Sequence, residues 1–267
     1  ADMIRPETLA AIRGDLPRMR VLQWNADPVF EADNIDRIKS KLAVVDATLV
    51  TTAGDALEPL RRPGMRLGFL PNPVDFSVER GRNHAASALP YDLFYACGNP
   101  RLPARHCCGK VWDMEEFMSA LRAAVPDLRL LLAGLCGQPH LAGSQYQRAL
   151  ESAALGLNVS RRNDVFLYSS DRLSHMIGNG LAVLIERATG YDRLFSEDQM
   201  AFFATFDELV EQVRRLAADP ARRSALAAAG RERYHELFNE QRVAHYLHDV
   251  AFGTIDAANY PWPTLIA

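Results

Sequence analysis

Short, nearly unbroken apolar runs alternate along this chain with stretches of helical spacing. Residues 21–24, 47–52 and 66–70 predict strands, and residues 92–96, 128–133, 181–185 and 201–204 continue the series. These runs are apolar almost throughout rather than at every second position, the mark of parallel strands covered on both faces. Between them, residues 35–45, 114–124 and 206–217 place apolar side chains at helical spacing, and residues 221–238 and 241–251 make the end of the chain helix-rich. Regular alternation of this kind specifies a doubly wound α/β fold. A domain boundary is expected around residues 75–89, where residues 78–84 have no periodicity.

The composition narrows the class. Apolar residues make up 48% and charged residues 24% of the 267 positions, ordinary for a globular protein. A net charge of −3 provides no global field to draw the chain to nucleic acid. No run approaches the roughly 18 apolar residues of a membrane span. The chain opens Ala1-Asp2-Met3, which reads as a processed product or a fragment. Four cysteines, at 97, 107, 108 and 136, lack C-x-x-C spacing, so reduced thiols in the cytoplasm are expected. Cys97, Cys136, His106, Cys107, Cys108 and His140 lie at or beyond predicted strand ends, where neighbouring strands could gather them around zinc. Only Cys107-Cys108 resembles a close-spaced ligand pair, so buried thiols are the preferred reading and no metal site is expected.

The run Leu67-Gly-Phe-Leu-Pro-Asn-Pro-Val-Asp75 ends a strand in a stiff elbow, since Pro73 fixes its own φ and biases Asn72 towards extended geometry. Arg105 and Lys110 follow in what reads as a loop running into a helix, with Arg101 a competing cation. A third block runs from Leu157-Asn-Val-Ser-Arg-Arg-Asn163 through Ser169-Ser-Asp-Arg172 to Gly178-Asn-Gly180. Together these resemble glycosyltransferases of the two-Rossmann GT-B architecture, in particular the spore-maturation-type branch, over nearly the whole chain. The resemblance implies a partial N-terminal Rossmann-like domain over residues 1–80, a complete nucleotide-sugar-binding one over 81–250, and a tail over 251–267.

It also implies chemistry. Arg105 and Lys110 resemble a pair that grips a donor diphosphate without a metal ion. The helix expected after Ser169, Ser170 and Asp171, with Arg172 beside it, is a natural anion site if Ser170 or Asp171 caps it. Gly134, Thr189 and Gly190 lie just past strands, where such sheets bind ligands. His175 stands where the family usually carries a ribose-binding Glu, so His175→Glu is expected to preserve or improve donor affinity. Gly178 and Gly180 are expected to supply left-handed geometry at the helix end, and Gly180 is also expected among the donor contacts. Asp27, closing the first strand, is the candidate base for an acceptor hydroxyl.

The function so implied is transfer from a nucleotide-diphosphate sugar to a glycan or glycoconjugate in bacterial polysaccharide synthesis, with no cofactor beyond that co-substrate. Two rivals are a sugar-nucleotide epimerase and a non-catalytic nucleotide-sugar-binding or scaffolding module. Peripheral membrane or complex association stays open. The reduced first domain points to self-association or a fragment origin, with residues 6–13 as a covering helix.

Overall fold

The computed structural model describes residues 4–99 and 103–266, so Arg101 lies outside it. From the start of the chain come α1 (Pro6–Asp15), β1 (Leu22–Asn25), α2 (Ala32–Lys39), β2 (Ala47–Val50) and β3 (Arg66–Phe69). Then follow β4 (Tyr91–Ala96), the pair β5 (Ala104–Cys107) and β6 (Lys110–Asp113), α3 (Met114–Ala124), β7 (Leu130–Ala133), α4 (Gly143–Leu150) and β8 (Ala153–Asn158). The remainder is α5 (Arg172–Gly178), β9 (Ala182–Glu186), β10 (Ala201–Phe203), α6 (Phe206–Ala218), α7 (Pro220–Phe238), α8 (Glu240–Phe252) and β11 (Leu265–Ile266). Among the described residues no helix is long and apolar enough to cross a membrane.

Two compact units result. The first takes residues Ala1–Pro71, Phe166–Tyr168 and Glu240–Ala267; the second takes Asn72–Val165 and Ser169–Asn239. The division therefore falls at Pro71, ahead of the aperiodic stretch expected to form the boundary. That stretch is anchored inside the second unit: Gly81 N–H donates to Asn179 Oδ1 (2.8 Å), and Asn83 Nδ2 donates to the carbonyls of Leu150 and Ala153 (both 2.7 Å). The tail expected from residue 251 belongs with α8 in the first unit, where Tyr246 donates to Phe69 O (3.0 Å) and Tyr260 and Trp262 pack against the Tyr246 ring.

The first unit is a sheet in the order β1-β2-β3-β11, parallel except for β11, which pairs antiparallel with β3. Gly68 is required there, because a Cβ would stand 2.4 Å from Thr264 O. Val29, Ile38, Val50, Leu57, Leu60 and Leu67 form its core. α1 buries no residue; it is tied down by Arg13, which pairs with Asp46 at 3.0 Å and donates to Val44 O at 3.2 Å. It is not the covering helix expected for the sheet.

The second unit is an all-parallel sheet in the order β10-β9-β8-β4-β7. Every residue of β8 and β9 is buried, as strands covered on both faces require. Its helices start where the sequence supplies caps. Asp113 accepts from the amides of Glu115 and Glu116 ahead of α3, and Thr205 accepts from Glu208 N–H (3.2 Å) ahead of α6. Four elements of the second unit, β5, β6, α4 and β8, escape the sequence pattern. β8 carries Gly156 amid small residues, because a side chain there would meet the Met176 sulfur at 2.6 Å. β5 and β6 form a hairpin where a loop is expected, turned by Cys108 (φ 54) and Gly109 (φ 73).

Candidate functional site

In the second unit the chain leaves β4 to one side, for β7, and then crosses back over β4 to β8. The strand order thus reverses between β4 and β8, and ligands of open α/β sheets bind outside the carboxyl ends at such a point. Arg172 occupies this place. Its Nη1 donates to Ala96 O at the end of β4, and its Nη2 donates to Val159 O just past β8 (2.9 Å). The guanidinium lies 5.0 Å over the Tyr95 ring. Arg172 is 8% exposed, and among the described residues it forms no ion pair. Its Nε is buried without a hydrogen-bond partner.

Arg105 reaches the same strand end from the hairpin. It is 5% exposed, with Nη2 donating to Cys97 Sγ (3.4 Å) and Nη1 to Ala104 O (2.8 Å). The hairpin is held over the β8 loop by His106 N–H to Arg161 O (2.9 Å) and Asn163 N–H to His106 O (3.1 Å). Both arginines act on the Tyr95 hydroxyl: burial pushes its pKa up, against the pull of Arg172 and then Arg105. Around them several buried polar atoms have no partner among the described residues: both amide atoms of Asn158, Ser160 Oγ, Asn163 Nδ2 and Ser170 Oγ. Buried polar groups are ordinarily satisfied, so a concentration of orphans at one sheet edge marks a place for a polar ligand.

Other residues singled out in the sequence distribute differently. Lys110 shares the hairpin face of Arg105 but is exposed, with its ammonium 3.6 Å from the Trp112 ring centroid. Gly134 has φ 66, and a Cβ there would stand 2.5 Å from Cys97 O; only glycine lets the β7 loop lie against the β4 loop. Thr189 bonds Glu186 O (2.6 Å) and Gly190 closes the turn after β9 with φ 78. Ser169 Oγ meets the buried Tyr191 hydroxyl at 2.8 Å, while Asn72 Nδ2 donates to Ser169 O at 3.3 Å.

Four expectations are corrected. Neither Ser170 nor Asp171 caps α5: Asp171 is already helical (φ −50, ψ −24) and makes no capping bond, and α5 has only 7 residues. Gly178 is helical rather than left-handed, and is needed because a Cβ would stand 2.7 Å from Glu79 Cγ. Gly180 supplies the expected left-handed turn at the end of α5 (φ 82), but as a donor contact it is misplaced, since it leads into β9 beside His84 at the amino edge of the sheet rather than the ligand edge. His175 Nδ1 is taken up by Glu79 Oε1 at 2.8 Å, and its ring stands edge-on to Tyr146.

Asp27, in the first unit, is exposed and paired with Arg37 (3.2 Å). Its corner is built by a reciprocal bond between the buried Asn25 and Asn34 amides (2.9 and 3.0 Å), with Asn34 also donating to Asp27 O and Pro28 O.

The sequence pattern of the glycosyl transferase-like family matches residues 105–249, more than half of the chain and the second unit from β5 onward. The chain belongs to that family. By this membership it is a glycosyltransferase, and the solved structures it resembles give it the GT-B fold. Sucrose-phosphate synthase from Thermosynechococcus elongatus is similar with a TM-score of 0.60 at 14% identity, over 94% of this chain and 72% of that one. An alpha-glucosyltransferase in complex with UDP-glucose and DNA containing an abasic site has a TM-score of 0.62 at 11% identity, over 94% and 77%. Anabaena HepE, in complex with UDP and glucose, has 0.61 at 9% identity, over 94% and 76%. No curated protein sequence matches the chain.

Proposed function

We propose that this glycosyltransferase moves a sugar from a nucleotide-diphosphate donor, held at the β4/β8 edge of the second unit, to a glycan or glycoconjugate hydroxyl. The carrying observation is Arg172: a buried cation at the switch point whose partners are two carbonyls. Cations are rarely buried without an anion, and a diphosphate is the anion that this reaction supplies. In transfer, the bond from the sugar's anomeric carbon to the diphosphate oxygen breaks, and negative charge grows on the leaving phosphate. Arg172 and Arg105 are set to receive that charge, as planar donors already oriented in a partly dry site. Asn158, Ser160 and Ser170 offer the hydrogen bonds for the rest of the donor. Side-chain cations thereby take the part that a divalent ion plays elsewhere. Lys110, seated on Trp112, contributes less than its spacing from Arg105 suggests. UDP-bound structures of similar fold support a pyrimidine nucleotide as the first donor to test.

Calorimetric titration with UDP, GDP, CDP and TDP and their sugars is the direct test. Arg172→Gln should weaken diphosphate binding by about 1.5–3 kcal/mol, the range for a bond to a charged group, and nucleoside binding far less. Ser170→Ala, which disturbs no bond in the fold, should weaken the donor modestly. Equal losses for nucleoside and diphosphate, or no nucleotide binding by the unaltered protein, would overturn the assignment.

A further inference from the structure

The hairpin turn and the end of β9 hold a cluster that glycosyl transfer does not use. Cys107 Sγ and Cys108 Sγ stand 3.6 Å apart, and with a Glu186 carboxylate oxygen they form a set whose atoms all lie within 4.8 Å of one another. Glu186 is out of pattern. It follows Ala182 and Leu184 on a face that packs into the apolar core, it is 4% exposed, and it sits beside Cys107, which is fully buried. One of its oxygens accepts Cys108 N–H at 2.7 Å; the other is buried without a partner.

We propose that Cys107, Cys108 and Glu186 bind a soft divalent cation of the zinc class. Two zinc–sulfur bonds of about 2.3 Å at the tetrahedral angle put the sulfurs about 3.8 Å apart, close to the separation seen here. A small swing of the Glu186 carboxylate brings the third ligand to bonding distance, and a solvent molecule completes four-coordination. Binding replaces the two thiol protons by the cation, with no redox change. The backbone carries an independent sign of selection for sulfur at this turn. Cys108 has φ 54 ahead of Gly109 at φ 73, a two-residue hairpin turn with both central residues left-handed. Asn-Gly is the residue pair that such a turn favours; a cysteine there is strained. The bound ion would pin the hairpin bearing Arg105 to the end of β9, a structural role separate from the diphosphate reading and independent of it.

The test is cobalt(II) titration of the reduced full chain, with zinc(II) competition. One cobalt per chain should give a near-ultraviolet thiolate charge-transfer band that zinc removes. Cys108→Asn should abolish the band while folding at least as well, because it installs the favoured turn residue. Glu186→Gln, which keeps the acceptor for Cys108 N–H, should weaken cobalt at least tenfold. Absence of the band in the unaltered chain, or its survival in Cys108→Asn, overturns the proposal. So does oxidation of the two thiols to a disulfide at the same rate with and without zinc.

Discussion

At the scale of single residues, the most instructive position is His175. The family resemblance suggests that a glutamate there would restore donor binding, but the structure reverses the expectation. The position already faces a carboxylate, Glu79, which is buried and also accepts Asp75 N–H (2.8 Å). His175→Glu would oppose two carboxylates at hydrogen-bond distance, and we expect it to cost about 1–3 kcal/mol of stability by leaving buried acceptors unmatched. Burial lowers the imidazole's pKa, but the Glu79 hydrogen bond and the Asp171 and Glu79 charges outweigh it, so the net shift is upward. A folded-state pKa above the unfolded value means that the pair's contribution is fully present below about pH 6.5 and fades as pH rises through the folded value. Denaturant melts of the unaltered chain should lose stability over that window, and His175→Ala should flatten the loss. An unchanged profile in the variant would remove the ion pair from the account.

At the scale of elements, turns decide what the strands can present. The β5–β6 hairpin delivers Arg105 to the strand ends, and the loop after α5 turns the chain into β9. Gly180 is the sensitive point: φ is 82 and a Cβ would approach His84 Nδ1 at 2.4 Å. Gly180→Ala should therefore cost about 1–3 kcal/mol from backbone strain alone, with the histidine displaced in addition. Gly64, also left-handed at φ 74 but with open space around it, provides the comparison. Gly64→Ala should cost less by thermal melting, and equal losses would mean that the His84 contact is irrelevant.

For the whole molecule, the two units make different demands. The donor site proposed here lies wholly within the second, and the family pattern covers its part from Arg105 onward. UDP at 100 times its Kd should stabilise that unit by about 2.7 kcal/mol. Hydrogen exchange should then show protection centred on the ends of β4 and β8 and on residues 158–165 and 169–172. Protection confined to the first unit would place the nucleotide elsewhere. The first unit's sheet gains its fourth strand from β11, which covers the outer edge of β3.

What could be read without coordinates follows from local physics. Continuous apolar runs at β2, β4 and β9 specify strands through neighbours in sequence, so the α/β class was legible, and the motifs at residues 67–75 and 157–180 made the glycosyltransferase resemblance legible. Arg105 could be singled out in the sequence because the motif carries it, and it enters the site proposed here. Contacts between distant segments were not. Arg172 became a bridge across the switch point only when β4 and β8 lay side by side, and Glu79 claimed His175 from 96 positions away. The Cys107, Cys108 and Glu186 cluster needs residue 186 delivered to a hairpin turn 78 positions earlier. Local spacing and capping act over a few residues and are written in the chain, whereas burial, charge pairing and the closing of a sheet depend on which segments meet, and only the folded structure decides that.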